Sequence, residues 1–243
     1  MMEALPKFTA REWRDLVGAD ARCAIEAGSH DGSDTEMLLE AFPAATVYCW
    51  EPDARPRKRF LDRLGQHPRV VLSTAAVCDY VGYAPWFACH GSMPTDNPDT
   101  RNFPTEMQRD WDASGSIVEP TGHKTSPGWL RFKQEGVVPT MAMDAWLLDH
   151  DGIHCVDLLW SDIQGAELKM IAGAQCVLAM TRYAYLEVYD LSLTGRGEGV
   201  PAELYKNQPS LADLQAALPG WELLGFYNGD SVLFRNTQWE PRL

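Results

Sequence analysis

Three groups of acidic residues lie beside glycines or at the ends of apolar runs, where side chains can reach a ligand. The first is Cys23-Ala24-Ile25-Glu26-Ala27-Gly28-Ser29-His30-Asp31-Gly32, followed by Ser33-Asp34-Thr35. An apolar strand runs into a polar turn bounded by two glycines and then into a helix start. Glycine at 28 lets a backbone pass close to a ligand, and glycine at 32 allows a positive φ before the helix. By itself this is a tight strand-to-helix turn of the kind any α/β protein uses. It is not a dinucleotide fingerprint, because Gly-x-Gly-x-x-Gly is absent, and no Gly-Lys-Ser/Thr follows to make a phosphate loop. Glu26 and Asp31 would repel a pyrophosphate; they suit a cofactor carrying an ammonium or sulfonium cation. The second group is Tyr48-Cys49-Trp50-Glu51-Pro52. An acid closing the second strand, roughly 20 residues after Gly28, is placed to accept both hydroxyls of a ribose. In the third, Val156-Asp157-Leu158-Leu159-Trp160-Ser161-Asp162-Ile163-Gln164-Gly165-Ala166-Glu167, Asp162 lies just past a buried strand, at the edge where open α/β sheets bind ligands. Glu167 reads as an acid that complements the start of the next helix.

The elements that must position these groups follow an alternating pattern. Residues 10–17 have helical spacing, 22–27 are a short apolar strand, 34–42 a helix, 46–50 a strand, 54–64 a helix and 70–73 a strand. After an irregular stretch over residues 90–136 the rhythm resumes at Val137. A short helix at 144–150 and a buried strand at 155–161 come next. A helix over 166–179 and a strand at 183–188 follow, then a second irregular stretch over 191–209. A helix at 211–218 leads to strands at 221–227 and 231–234 joined by Asn228-Gly229-Asp230, a hairpin signal. Short apolar strands alternating with helices predict a doubly wound, mostly parallel Rossmann-like sheet. The terminal antiparallel hairpin separates it from ordinary dinucleotide folds and matches a class I methyltransferase sheet. One domain over residues 1–243 is expected, with an N-terminal helical segment at 1–20 and an insertion at 90–136. A loop of that length inside a domain is usually functional.

With 243 residues, 45% hydrophobic and 23% charged, the composition is that of a globular protein. A net charge of −13 argues against nucleic acid or an anionic membrane as main partner. The six cysteines form no Cys-x-x-Cys pair, so a zinc site or disulfide framework is not expected. No run approaches the ~18 apolar residues of a membrane span and residues 1–10 carry no signal pattern, so the expected location is the cytoplasm.

Taken in order, the motifs resemble the FkbM-type methyltransferases. The likeness rests on Gly28-Ser29-His30-Asp31-Gly32, Glu51-Pro52, Ala75-Ala76-Val77-Cys78-Asp79 and Ser114-Gly115-Ser116-Ile117. It continues through Val138-Pro139-Thr140 with Asp144-Ala145-Trp146, then residues 160–167, and Glu187 closing the next strand. It spans residues 23–234. His30 stands where the family usually has Asn, Trp160 where it has Lys and Gln164 where it has Glu. The resemblance implies S-adenosylmethionine as cofactor, with Glu26, Gly28, His30 and the neighbouring Asp31 about its methionine part. Glu51 would take the ribose, Ala76 would flank the adenine, and Asp162 would sit at the reacting end. It also implies methylation of a hydroxyl on a saccharide or other small molecule. Asp162 and Glu187 are the candidates for the base that takes the hydroxyl proton or for ligands of a divalent metal, with His30, His90 and His123 as weaker ones. The aromatic residues Trp86, Phe103, Trp111, Trp129, Tyr189 and Tyr205 fit equally a stacking surface for the acceptor or a satellite core. Two other readings stay open at this point: a catalytically silent cofactor- or sugar-binding module of the same fold, and a nicotinamide-dependent dehydrogenase using Glu51. The oligomeric state is not legible.

Overall fold

The computed structural model describes residues 4–95, 105–124, 128–194 and 201–240. Helix α1 (Ala10–Val17) starts at a capping box in which Thr9 and Glu12 satisfy each other's backbone donors. Strand β1 (Cys23–Ala27) leads to α2 (Ser33–Ala41), β2 (Thr46–Trp50) to α3 (Ala54–Leu64), and β3 (Val70–Ser73) follows. The middle of the chain holds β4 (Ala76–Val77), β5 (Gly82–His90), α4 (Thr105–Arg109), β6 (Arg131–Met141) and α5 (Met143–Leu147). Strand β7 (Val156–Ser161), helices α6 (Glu167–Ala172) and α7 (Gln175–Ala179), strand β8 (Thr181–Glu187), helices α8 (Leu191–Thr194) and α9 (Leu211–Ala217), and strands β9 (Trp221–Tyr227) and β10 (Ser231–Asn236) complete it.

Seven strands form one sheet in the order β3-β2-β1-β7-β8-β10-β9. The first five are parallel, and β10 runs antiparallel to both its neighbours. This is the doubly wound α/β class read from the alternation, and the reversed strand comes from the hairpin at Asn228 and Gly229. Both residues have positive φ (55° and 81°), as a primed two-residue turn requires. Successive residues of the central strands point to opposite faces. Ile25 and Leu159 pack with Met170, Val177 and Phe226 on one side; Ala24 and Leu158 pack with Trp13, Phe42 and Phe60 on the other. In the parallel register Ala27 is opposite both Trp50 and Ser161, so β1, β2 and β7 end together. Ligands of open α/β sheets bind at that carboxyl edge.

The middle segment departs from the reading of 90–136 as irregular. Strands β4, β6 and β5 form a second, three-stranded sheet, with β5 and β6 paired from Gly82↔Thr140 to His90↔Arg131. Ala84, Trp86 and Ala88 alternate inward along β5, but Pro85 interrupts the pattern and the register shifts there, which hides the strand in the sequence. In β6 residues 133–137 are exposed, so no apolar period marks it. The predicted helix over 166–179 is two helices. A Cβ at Gly173 would lie 2.4 Å from the Cys78 carbonyl oxygen, and the chain breaks where it touches that segment. The N-terminal segment lies along β9, with the Leu5 amide and carbonyl bonded to Phe226 O and Asn228 N, each at 2.8 Å.

Candidate active site

The three carboxyl ends are locked by main-chain contacts. Gly28 N and Ser29 N both donate to the Trp50 carbonyl at 3.0 Å, and Asp162 N donates to Ala27 O at 2.9 Å. Gly28 has φ +85°, and a Cβ there would fall 1.8 Å from the Asp162 carbonyl oxygen. Only glycine brings the first turn this close to the turn after β7. His30 N donates to Glu51 Oε2 (2.9 Å) and Asp53 N to Glu51 Oε1 (2.7 Å), so the acid closing β2 is oriented by backbone donors. Asp31 accepts from Ser33 N at 3.1 Å at the start of α2.

A cavity of about 470 Å³ opens between these ends and the insertion, within the range of small-molecule sites. Gly28, His30, Asp31, Glu51, Ala76 and Asp162 all line it. The sequence reading put Glu26 there as well, and the structure corrects this. Glu26 shares a strand face with Ala24, is 1% exposed, and is bonded by the Thr35 hydroxyl and the Cys49 thiol beneath α2. Burial pushes its pKa up to about 8, as befits a core group rather than a cleft carboxylate. Burial likewise raises Glu51 to about 7, partly offset by the charge of His30 and the Asp53 amide. Burial acts upward on Asp31 too, yet the Ser33 bond with the His30 and Arg63 charges hold it below the usual carboxylate range.

The far wall is built from side chains. Gln164, at φ +56°, donates through Nε2 to Asp162 Oδ1 (2.6 Å) and Glu187 Oε1 (3.0 Å), and through its amide N to Glu187 Oε2 (3.2 Å). The two carboxyl groups therefore meet on one amide. Burial raises both, and the repulsion of Asp162 and Glu167 drives Glu187 furthest. Asp162 lines the open cleft and Glu187 does not. The Tyr205 hydroxyl shares its proton between Ser114 O (2.6 Å) and Gln164 Oε1 (2.9 Å). Glu167, 1% exposed, accepts from Ile163 N at 3.1 Å, as an acid at a helix start should. Among the described residues no group of three His, Cys, Asp or Glu side chains is arranged to hold a metal ion.

Sequence reasoning missed two contributors, Lys7 and Asp112, and named Tyr205 only as an aromatic of the acceptor surface or satellite core. Lys7 lines the cleft from the N-terminal segment, pairs with Asp34 at 2.7 Å, and lies 5.3 Å over the Trp160 ring. A cation thus stands against the Trp160 ring. Asp112 reaches His30 from the insertion, and Tyr205 steadies Gln164; both depend on long-range packing that leaves no local pattern. The aromatic residues divide in favour of the satellite core: Trp111 and Trp129 stack edge-on at 5.7 Å, and Tyr205 is fully buried against His123 and Phe132. Trp86 is 9% exposed but lines the cleft, and Phe103 lies outside the described residues. His90 is engaged with Asp110 at 3.3 Å, outside the cleft.

A seven-stranded sheet with one reversed strand and an acid-lined cleft at its carboxyl edge defines a class I methyltransferase fold. A family model described as "Methyltransferase FkbM domain" matches residues 26–202. The chain is 32% identical over 218 residues to the 2-O-methyltransferase NoeI of Sinorhizobium fredii, covering 88% of this chain and 79% of that one. The chain belongs to the FkbM methyltransferase family and is an S-adenosylmethionine-dependent methyltransferase. Among solved structures it is similar to the N-methyltransferase NodS of Bradyrhizobium japonicum (TM-score 0.43, 10% identity, 93% of each chain covered). It is also similar to Aeropyrum pernix fibrillarin with natively bound S-adenosyl-L-methionine (TM-score 0.45, 13% identity, 90% of this chain and 66% of that one). The cleft suits that cofactor: its carboxylates oppose a sulfonium charge, and Ala76 and Val77 give it an apolar side. No described helix is long and apolar enough to cross a membrane.

Proposed function

We propose that the chain works as a single methyltransferase domain that O-methylates a hydroxyl of a saccharide or other small molecule, with Asp162 as the base. One observation carries this reading: Asp162 faces the cleft, bonded at 2.6 Å to the amide of Gln164 that also holds Glu187. Glu51 would accept the ribose hydroxyls on oxygen lone pairs not used by His30 N and Asp53 N. Gly28, His30 and Asp31 would surround the methionine part, and Ala76 would lie against the adenine. When bound, S-adenosylmethionine supplies an electrophilic methyl on a sulfonium leaving group. The residues around it would hold acceptor oxygen, methyl and sulfur in line, the alignment from which much of the rate enhancement comes. Asp162 would take the hydroxyl proton as the new C–O bond forms. Burial holds the Asp162 pKa above the ordinary aspartate value, which makes it a stronger base than an exposed carboxylate. The O-methyltransferase relative supports a hydroxyl acceptor, and a net charge of −13 favours a small molecule over nucleic acid.

Transfer of a labelled methyl group across a panel of hydroxylated saccharides and small molecules, with and without Mg²⁺, tests the proposal. Labelled methyl ether on at least one acceptor is expected. Tight cofactor binding with no transfer to any acceptor would instead leave a silent binding module.

A further inference from the structure

His30 stands in the cofactor turn and is bonded to side chains from two other elements. The turn holds it at φ +47°, which aims the ring away from the sheet and toward the insertion. There Nε2 meets Asp112 Oδ1 at 2.9 Å, and Arg59 Nη2 from α3 grips the same carboxylate at 2.9 and 2.8 Å. The Asp112 side chain is 3% exposed and that of Arg59 17%. A buried carboxylate bonded by both a guanidinium and an imidazole is a strong, directional junction. It joins three elements: the turn after β1, helix α3, and the insertion.

Asp112 also begins the strip of insertion that walls the cleft. Asp112, Ala113, Gly115, Ser116 and Ile117 face the cavity. The strip is fastened on its other sides: Phe87 N bonds Ser116 O (2.9 Å), Ser114 N bonds Cys89 Sγ (3.0 Å), and Ser116 Oγ bonds Gln164 O (2.8 Å). On the side of the cofactor turn its tie is the Asp112 carboxylate to His30 and Arg59.

We propose that Asp112 is a positioning residue for the cofactor turn, holding His30 against the insertion so that the strip 112–117 closes on bound cofactor. The proposal rests on the reading of this cleft as the cofactor site. The charges facing His30 are Asp112 from the insertion, Glu51 from the end of β2, Asp31 from its own turn, and Arg59 from α3 at 3.4 Å, with Arg63 of α3 beyond Asp31. Burial disfavours the imidazolium, but the bond and charge of Asp112, with Glu51 and Asp31, outweigh it and hold His30 above the ordinary histidine range. The clamp is therefore intact below that range and weakens as pH rises through the elevated value. His30→Asn removes the titration without removing a polar side chain.

Two measurements test this. Calorimetric titration with S-adenosylhomocysteine from pH 6 to 9 should show an alkaline loss of affinity roughly three- to tenfold larger in wild type than in His30→Asn, whose remaining slope belongs to the other acids of the cleft such as Glu51. Imidazole NMR titration of the cofactor-free protein should show the His30 pKa falling in Asp112→Asn, and in Arg59→Gln no such fall, because loss of a neighbouring cation favours the imidazolium. Equal pH dependence in wild type and His30→Asn, or an unchanged His30 titration in Asp112→Asn, would overturn the proposal. If S-adenosylhomocysteine binds no variant at any pH, the cofactor reading fails, while the imidazole titration still decides whether Asp112 governs His30.

Discussion

The two walls of the cleft are built differently. On the side of β1 and β2 the ligating groups are fixed by main-chain bonds within residues 27–53: Gly28 N and Ser29 N on Trp50 O, and the His30 and Asp53 amides on Glu51. On the side of β7 and β8, Asp162, Gln164, Glu187, Tyr205 and Ser114 come from distant segments and meet through side chains. Backbone bonds hold one geometry for a constant cofactor. A network of side chains can be changed one residue at a time to fit another acceptor. Under the proposed function, the first wall binds the cofactor and the second carries out transfer.

Substitutions that separate the two walls should break this comparison if it is wrong. The largest effect belongs to Asp162→Asn: turnover should fall roughly 10²–10⁴-fold, the usual contribution of a positioned base, with S-adenosylhomocysteine affinity preserved in a calorimetric titration. A parallel loss of affinity would move Asp162 to the binding wall. Gly28→Ala acts on both walls, since its Cβ would strike the Asp162 carbonyl at 1.8 Å and its φ is +85°. Denaturant unfolding should report a loss of at least about 1–3 kcal/mol, and wild-type stability in this variant would refute the locked strand ends. Tyr205→Phe removes one hydroxyl from Ser114 O and Gln164 Oε1 and should cost about 1–3 kcal/mol of stability. Its turnover should drop while cofactor affinity holds.

The smallest effect concerns Glu26. Its folded-state pKa of about 8 lies above its ordinary value of 4.5. Its contribution is thus fully present below pH 4.5 and lost as pH rises through 8. The melting temperature of the cofactor-free protein should fall between about pH 5 and pH 9. Glu26→Gln should flatten part of that slope, while Glu51 and Glu167, raised to about 7 and about 8 by burial, keep the remainder. An unchanged slope would show that Glu26 is ionised and solvated.

Legibility in the sequence follows the same division. The strand ends, the 28–32 turn, Glu51 and the final hairpin were legible because each is a local pattern: an apolar run meeting glycine, an acid before proline, Asn-Gly between strands. Glu26 was misplaced because β1 is buried on both faces, so residue type gives no clue to which face looks at the cleft. The β4-β6-β5 sheet was missed because its exposed residues carry no period. Lys7, Asp112 and Tyr205 reach the site only through tertiary packing. His30 and Gln164 were visible as departures from the family pattern, but their partners were not.

The most direct measurement is calorimetric titration of S-adenosylhomocysteine and NAD into wild-type protein and Glu51→Ala. One-to-one binding of S-adenosylhomocysteine is expected, weakened roughly 10–100-fold in Glu51→Ala by loss of charged hydrogen bonds to the ribose, with no NAD binding. Equal S-adenosylhomocysteine affinity in the two proteins, or preferential binding of NAD, would contradict the assignment of this cleft.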